Sequence, residues 1–214
     1  MPEYHPISHR SLVGRHRHAK TKTRIIHAAV TIFAALGPDA PVIDDFIKAA
    51  GIARGTFYNY FKNTEELLGA TSEYFTEELV MRIDHRIRSF GNPATRFGVG
   101  IRLWMRWALE HPSWCLFLAR VWNSIKYDLP IGDIREGIEA KVFDAPDPAV
   151  AWDVISGAVR QAMFRIGEGN VDETYGNALT QMCLQVLRVD AELIALTMEV
   201  PLPDTPCCDA IGRP

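Results

Sequence analysis

The sequence lacks the features that define membrane proteins and several classes of enzyme. No apolar run approaches the roughly 18 residues of a membrane-spanning helix, and the basic N-terminus precedes no apolar segment with a cleavage site. We therefore expect a soluble cytoplasmic protein with no membrane partner. Neither a Gly-rich phosphate loop nor a G-x-S-x-G nucleophile elbow occurs. We expect no enzymatic activity, no catalytic residue and no cofactor.

Cysteine and metal-ligand patterns are also sparse. Cys115 and Cys183 lie within apolar helical patterns, and Cys207 and Cys208 are adjacent in a Pro-rich tail. We expect reduced thiols in a cytoplasmic protein, and a redox role for the tail pair stays open. The His16-x-His18 pair has no partner at ligand spacing, so we expect no metal site.

The alternating pattern of β-strands is missing, whereas apolar residues recur at helical spacing through most of the chain. An all-α fold is therefore predicted. The expected helices cover about 21–36, a helix-turn-helix in 44–62, and then 64–90, 94–110, 112–126, 132–143, 148–167 and 172–199.

The most specific pattern runs from Asp44 to Lys62. Apolar residues at helical spacing end at Gly51, where a left-handed residue would close the first short helix. Phe57 and Phe61 are four apart, so both face the core and leave polar side chains on the other faces. This division is typical of a DNA-recognition helix. The outward-facing candidates are Arg54, Thr56, Tyr58, Asn59, Tyr60 and Lys62.

The distribution of charge supports this interpretation. The chain carries a net charge of −3, yet its first 70 residues hold nine basic and six acidic side chains. The remaining residues hold 14 basic and 20 acidic side chains. The positive charge therefore lies at the end that contains the helix-turn-helix, as binding to phosphates requires.

The segment GIARGTFYNYFKNTEELL, preceded by IKAAG and an amphipathic helix, resembles the DNA-binding domain of the TetR family of bacterial transcriptional regulators. The resemblance covers about residues 20–70. Val42 and Ala53 depart from it, because the family usually has capping Ser or Thr side chains at these helix starts. The resemblance implies an N-terminal three-helix DNA-binding domain and a larger C-terminal helical domain for ligand binding and dimerisation. The predicted domains are a flexible basic arm (1–19), the helix-turn-helix domain (20–66), the helical domain (67–203) and a flexible tail (204–214).

In this domain the recognition helix is predicted to carry two kinds of DNA contact. We expect Tyr58, Tyr60 and Lys62 to contact phosphates, and Arg54, Gly55, Thr56 and Asn59 to contact bases. Gly55 is included because a side chain there would hold the helix away from the base edges.

The predicted last helix carries apolar residues at alternating steps of four and three, which is a heptad seam. We expect this helix and the preceding one to form a four-helix interface in a homodimer, as the family resemblance also implies. Burial of both apolar sides within one chain is the alternative. The predicted interface residues are Ala158, Ala162, Leu179, Met182, Val186, Val189 and Leu193.

Aromatic residues are concentrated between Trp104 and Tyr127. They are predicted to line an apolar pocket for a small-molecule effector, with packing in an ordinary helical core as the alternative for each. The predicted pocket residues are Trp104, Trp107, Trp114, Phe117, Arg120 and Phe164.

These observations predict a dimeric, ligand-responsive transcriptional repressor that binds a palindromic operator in double-stranded DNA. Two alternatives stay open. One is a small-molecule binding protein whose DNA module is vestigial, for which Asp44, Asp45 and the missing caps are the only support. The other is a transcriptional activator of the same fold.

Overall fold

The computed structural model describes residues 9–122, 129–172 and 174–205, and all regular secondary structure in these ranges is helical. The all-α prediction is confirmed. The helices are α1 (His9–Leu36), α2 (Ile43–Ala50), α3 (Arg54–Tyr58), α4 (Thr64–Ile87), α5 (Pro93–Glu110), α6 (Pro112–Val121), α7 (Leu129–Glu139), α8 (Pro148–Gly167), α9 (Tyr175–Val186) and α10 (Ala191–Glu199).

The chain forms two compact units, and the boundary between them falls within α4. The first unit extends to Tyr74, and the second begins at Phe75. The domain boundary predicted at residue 66 lies near the start of the same helix. Because α4 begins in one unit and ends in the other, each unit contains part of this helix.

The core of the first unit is built from the apolar faces of α1, α2 and α3. Phe33, Phe46 and Phe57 are completely buried, and the ring centroids of Phe33 and Phe46 lie 4.9 Å apart. Gly51 ends α2 in the left-handed conformation, with φ of 59°, as its position predicts. Such a residue allows the chain to turn sharply between α2 and α3.

The N-terminal helix is longer than predicted. Its expected start was Thr21, but α1 begins at His9, so residues 9–19 of the predicted flexible arm are helical. No proline interrupts the chain between Pro6 and the end of α1, and Arg10, Leu12, Arg15, Arg17 and Ala19 are good helix formers, although Gly14 is a poor one. The remainder of the predicted arm, residues 1–8, lies outside the described residues.

In the second unit, α5 is the central helix and contacts α6, α7, α8, α9 and α10. A Cβ atom added at Gly98 of α5 would lie 2.5 Å from the Cγ2 atom of Thr197 in α10. The absence of a side chain at this position therefore allows the two helices to pack closely. The Phe75 ring of α4 stacks on the Trp114 ring of α6, with centroids 4.6 Å apart.

The predicted single helix over residues 172–199 is wrong, because the structure divides it into α9 and α10. Arg188 adopts a left-handed conformation, with φ of 53°, directly after α9 ends. The Asp190 side chain then accepts hydrogen bonds from the backbone N–H groups of Glu192 and Leu193. Asp is a preferred N-cap residue, so it starts a new helix where the apolar repeat alone predicts continuation.

Further helices have different ends from those predicted. Helix α4 ends at Ile87, three residues before the expected end at residue 90. Helix α7 begins at Leu129 and ends at Glu139, three residues earlier than expected at its start and four at its end. Helix α6 ends at Val121, and part of the predicted 112–126 helix lies outside the described residues. No described helix combines the length and apolar character needed to span a membrane.

The two described cysteines are free thiols within the core. Burial raises the pKa of Cys115 to about 12 and that of Cys183 to about 11. Both therefore remain protonated and unreactive near neutral pH. Cys207 and Cys208 of the tail lie outside the described residues, so a redox role for this pair stays open.

Candidate functional sites

Helix α3 separates an apolar face from a polar face, as the sequence predicts. Phe57 is completely buried and Phe61, just beyond the helix, is nearly so, with ring centroids 6.0 Å apart. These two rings fix the helix against the core of the first unit. The predicted contact residues are distributed over its other faces: Arg54, Gly55, Tyr58, Asn59 and Lys62 are exposed, and Thr56 and Tyr60 are half-buried.

Arg54 has a partner that the sequence analysis did not assign. Its Nη2 atom lies 2.5 Å from the Oδ1 atom of Asp44 in α2, and both side chains are more than half exposed. The hydrogen bond to Asp44 raises the pKa of the arginine further above its ordinary value. An exposed ion pair of this kind adds little to stability, because water screens both charges. Arg54 can therefore exchange this partner for another anion at low cost.

The start of α2 is held by an acidic side chain in place of the usual Ser or Thr cap. Val42 has no side-chain acceptor, but the Asp45 carboxylate accepts a hydrogen bond from the Val42 backbone N–H at 2.8 Å. This bond is one half of a capping box. Ala53 provides no side-chain cap for α3, as its sequence predicts.

A similar arrangement fixes the segment that enters α4. The Asn63 side-chain oxygen accepts a hydrogen bond from the Glu66 backbone N–H at 2.8 Å. The Glu66 carboxylate in turn accepts a hydrogen bond from the Lys62 backbone N–H at 2.7 Å. The backbone at Lys62 is thus fixed close to the end of α3, while its side chain is exposed.

Exposed cations extend beyond α3 over the surface of the first unit. Besides Arg54, they occur on α1, on α2 and before α4, where a long polyanion could contact several of them. The exposed side chains are Arg17, Lys20, Lys22, Arg24, Lys48 and Lys62.

The second unit contains a cavity of about 180 Å³. Most of its lining is apolar or aromatic, and α4, α5 and α8 contribute most of the residues. The lining residues are Thr76, Val80, Ile83, Asp84, Ile87, Phe97, Gly100, Ile101, Trp104, Met105, Trp122, Asp133, Trp152, Ile155 and Val159.

The cavity differs from the predicted pocket in most of its residues. Of the predicted set, Trp104 lines it, whereas Trp107, Trp114 and Phe117 are buried in the helical core. Arg120 is exposed and Phe164 is half-buried, and neither lines the cavity. The core alternative therefore applies to Trp107 of α5 and to Trp114 and Phe117 of α6. The Phe75 ring of α4 lies against both Trp107 and Trp114, and the Trp114 and Phe117 rings lie with their centroids 5.8 Å apart.

Two carboxylates in the lining are held by arginines. The Nε atom of Arg96 lies 3.2 Å from the Oδ1 atom of Asp133, and the same guanidinium also pairs with Glu136. Asp84 pairs with Arg88. Burial raises the pKa of Asp133, although the neighbouring Arg96 acts in the opposite direction.

Two further polar groups of the lining residues are buried and have no hydrogen-bond partner among the described residues. The Thr76 hydroxyl and the Trp104 indole N–H make no hydrogen bond to any residue that the structure describes. Thr76 is only 4% exposed. Buried polar atoms usually have a partner, so an unpaired hydroxyl in a cavity wall indicates a place where a bound molecule can supply one.

The predicted dimer seam is partly buried within the chain. Ala162 and Val189, which were both predicted for the dimer interface, are buried in the core of the chain. Met182 and Val186 of α9 are exposed, and Ala158, Leu179 and Leu193 are half-buried. Further exposed apolar side chains lie on α8 and α10: Val150, Val154 and Leu196.

Sequence comparisons identify the first unit. Residues 25–71 match the family described as bacterial regulatory proteins, tetR family. The chain is 34% identical over 64 residues to the HTH-type transcriptional regulator YvdT of Bacillus subtilis (strain 168), covering 30% of this chain and 33% of that protein. It is 32% identical over 90 residues to an HTH-type transcriptional regulator of Mycobacterium tuberculosis (strain CDC 1551 / Oshkosh), covering 42% of this chain and 45% of that protein. The matches thus span between a third and a half of these relatives.

Solved structures extend the likeness to most of the chain. RolR in complex with resorcinol has a TM-score of 0.68 at 23% identity and covers 90% of this chain and 100% of its own. The fatty acid degradation regulator FadR from Bacillus halodurans has a TM-score of 0.64 at 21% identity, and the match covers 79% of this chain and 97% of that protein's chain. At these identities the likeness shows the shared fold.

Proposed function

Because this chain belongs to the tetR family of bacterial regulatory proteins through residues 25–71, we propose that it is a DNA-binding transcriptional regulator, and specifically a ligand-responsive repressor. One observation carries the proposal. Helix α3 is anchored by the buried Phe57, while Arg54, Gly55, Tyr58 and Asn59 are exposed around it. Such a helix can enter a major groove without disturbing its own core.

The proposed DNA contacts are of two chemical kinds, to phosphates and to bases. Tyr58, Tyr60 and Lys62 bind phosphate oxygens, which positions the helix on the duplex. Arg54, Thr56 and Asn59 offer donors and acceptors to base edges, and Gly55 allows close approach. The exposed cations of α1 add attraction to the backbone that does not depend on DNA sequence.

The repressor acts as a homodimer on a palindromic operator. Helices α8 and α9 contact each other, and both leave apolar side chains exposed at a spacing of four residues. Val150 and Val154 lie on α8, and Met182 and Val186 lie on α9. A second copy that covers these side chains would bring two recognition helices to half-sites about 34 Å apart.

The effector binds in the cavity of the second unit and acts through α4. This helix supplies five lining residues, from Thr76 to Ile87, and its start follows α3 after a short connection. A bound molecule that shifts α4 would change the spacing of the two recognition helices and weaken operator binding. Solved relatives of the same fold carry resorcinol in RolR and stearoyl-CoA in the Bacillus subtilis FadR, which supports a small-molecule effector.

The proposal is tested by titrating the full chain against labelled DNA from upstream of its own gene. Fluorescence anisotropy at several salt concentrations should give specific binding that weakens steeply with salt. Tyr58→Phe should lower the affinity about tenfold by removing one phosphate contact, and Lys62→Ala should also reduce the salt slope by about one.

Arg135→Ala is the matched control, because Arg135 is an exposed cation of the second unit. Its affinity for DNA should equal that of the original chain. If no DNA binding occurs at low salt, the regulator proposal is wrong and the chain is a small-molecule binding protein. If binding occurs but a reporter gene is stimulated, the protein is an activator.

Asp44→Asn should strengthen DNA binding about threefold to tenfold, because it frees Arg54 and removes a negative charge close to the phosphates. The same anisotropy titration measures the effect. Asp39→Asn, at another exposed carboxylate of the first unit, serves as the control for net charge alone. Equal gains in the two variants, or a weaker Asp44→Asn, would contradict a role for Arg54 in DNA contact.

A further inference from the structure

Resting on the effector response proposed above, we infer that the cavity of the second unit binds a small organic cation, namely a compact aromatic ring that carries a protonated amine. The lining is the first reason. Trp104, Trp122 and Trp152 all lie in the wall, and the faces of indole rings attract cations. None of the described residues in this wall is Lys, Arg or His.

The charge beside the cavity is the second reason. Three carboxylates, Asp84, Asp133 and Glu136, are paired with two guanidinium groups, Arg88 and Arg96. This cluster therefore carries one net negative charge, and two of its carboxylates reach the cavity wall. Burial raises the pKa of Asp133, and the neighbouring carboxylates Glu136 and Asp84 act in the same direction, against the effect of Arg96. A bound cation would supply the missing positive charge.

An unpaired hydroxyl provides a third, independent reason. Thr76 lines the cavity, is almost completely buried, and makes no hydrogen bond to the described part of the chain. A hydroxyl oxygen can accept a hydrogen bond from an ammonium group, which has three N–H donors. Thr76 precedes Asp84 by eight residues of α4, about 12 Å of helix, so it provides an acceptor in a different part of the wall from that carboxylate.

The volume restricts the ligand to a small molecule. The cavity measures about 180 Å³, whereas an apolar cavity of about 150 Å³ is enough to hold benzene. The additional space admits a short chain with an amino group. Larger fused ring systems would require the walls to move.

The test compares three probes that share a phenyl ring and a short chain but differ in charge: phenethylamine, phenethyl alcohol and phenylacetate. Isothermal titration calorimetry with the full chain at neutral pH measures each affinity without DNA. We expect phenethylamine to bind at least about tenfold more tightly than phenethyl alcohol, because its hydrogen bonds are charge-assisted. Phenylacetate should bind most weakly.

Asp84→Asn and Asp133→Asn keep the side-chain shape but remove the charge. Each should weaken phenethylamine binding about tenfold and leave phenethyl alcohol unchanged. Asp144→Asn is the matched control, because Asp144 is an exposed carboxylate paired with Arg188 away from the cavity lining. Circular dichroism checks that each variant folds. If Asp133→Asn does not fold, the preference for a cation is still tested by Asp84→Asn and by the three probes on the unchanged protein.

Equal affinity for the amine and the alcohol, a preference for phenylacetate, or no binding of any probe would each overturn the inference. So would an amine affinity that neither cavity variant lowers. DNA binding is measured separately with the anisotropy assay. DNA binding without amine binding refutes the ligand class alone, and amine binding without DNA binding refutes the regulator proposal alone.

Discussion

Gly55→Leu should abolish specific DNA binding, by at least about a hundredfold, while the chain stays folded. Apart from its own helical turn, a Cβ atom added at Gly55 would meet no atom of the described residues within 4 Å, and the residue is exposed in α3. The fold therefore does not require glycine at this position. Replacing a helical glycine should even stabilise the helix by about 0.5–1 kcal/mol. A leucine side chain would, however, stand between the helix and the base edges.

The two expectations for Gly55→Leu are measured separately. Thermal unfolding should give a melting temperature equal to or above that of the original chain, while anisotropy should show loss of operator binding. Gly132→Leu is the matched control, since Gly132 is an exposed glycine of α7 whose added Cβ would likewise meet no described atom within 4 Å outside its own helical turn. If Gly55→Leu binds DNA as well as Gly132→Leu, α3 is not the surface that meets the bases.

The helix-turn-helix could be predicted from the sequence because its determinants are local. Gly51 ends α2 in a left-handed conformation, and Phe57 and Phe61 face the core because they lie one helical turn apart. Neither conclusion needs knowledge of distant residues. The ion pair between Arg54 and Asp44 could not be predicted in this way, because the angle between α2 and α3 determines whether those side chains meet.

The break between α9 and α10 shows why an apolar repeat is an incomplete guide. The heptad spacing continues through Val186 and Val189, yet the chain leaves the helical conformation at Arg188. The spacing of apolar residues gives no information about where a capping side chain begins a new helix. Asp190 was the local signal, because Asp is a preferred N-cap residue and its side chain accepts hydrogen bonds from the Glu192 and Leu193 N–H groups at the start of α10.

The cavity was the least predictable part. A run of tryptophans predicts an aromatic environment, but it does not distinguish a ring in a cavity wall from a ring in a packed core. Trp107 packs against Phe75 of α4, whereas Trp104 lines the cavity, although both belong to α5. Asp84 and Asp133 are far apart in the sequence and come to the same cavity only through tertiary packing.

Met182→Glu should convert the proposed dimer to a monomer and weaken operator binding by at least about a hundredfold. Met182 is 60% exposed on α9, close to the apolar Val186 one turn later. In a two-fold interface each residue appears twice, so the substitution would place two carboxylates in an apolar contact. The cost of burying such charges without partners exceeds what the remaining contacts can offset.

Met81→Glu is the matched control for this substitution. Met81 on α4 is 57% exposed, so the same change removes a similar apolar surface and adds the same charge away from α8 and α9. Sedimentation velocity should therefore find a dimer for the original chain and Met81→Glu, but a monomer for Met182→Glu. A monomeric original chain, or a dimeric Met182→Glu, would refute the assignment of this surface. Because one recognition helix reads only one half-site, the loss of dimer and the loss of operator affinity should occur together as protein concentration falls.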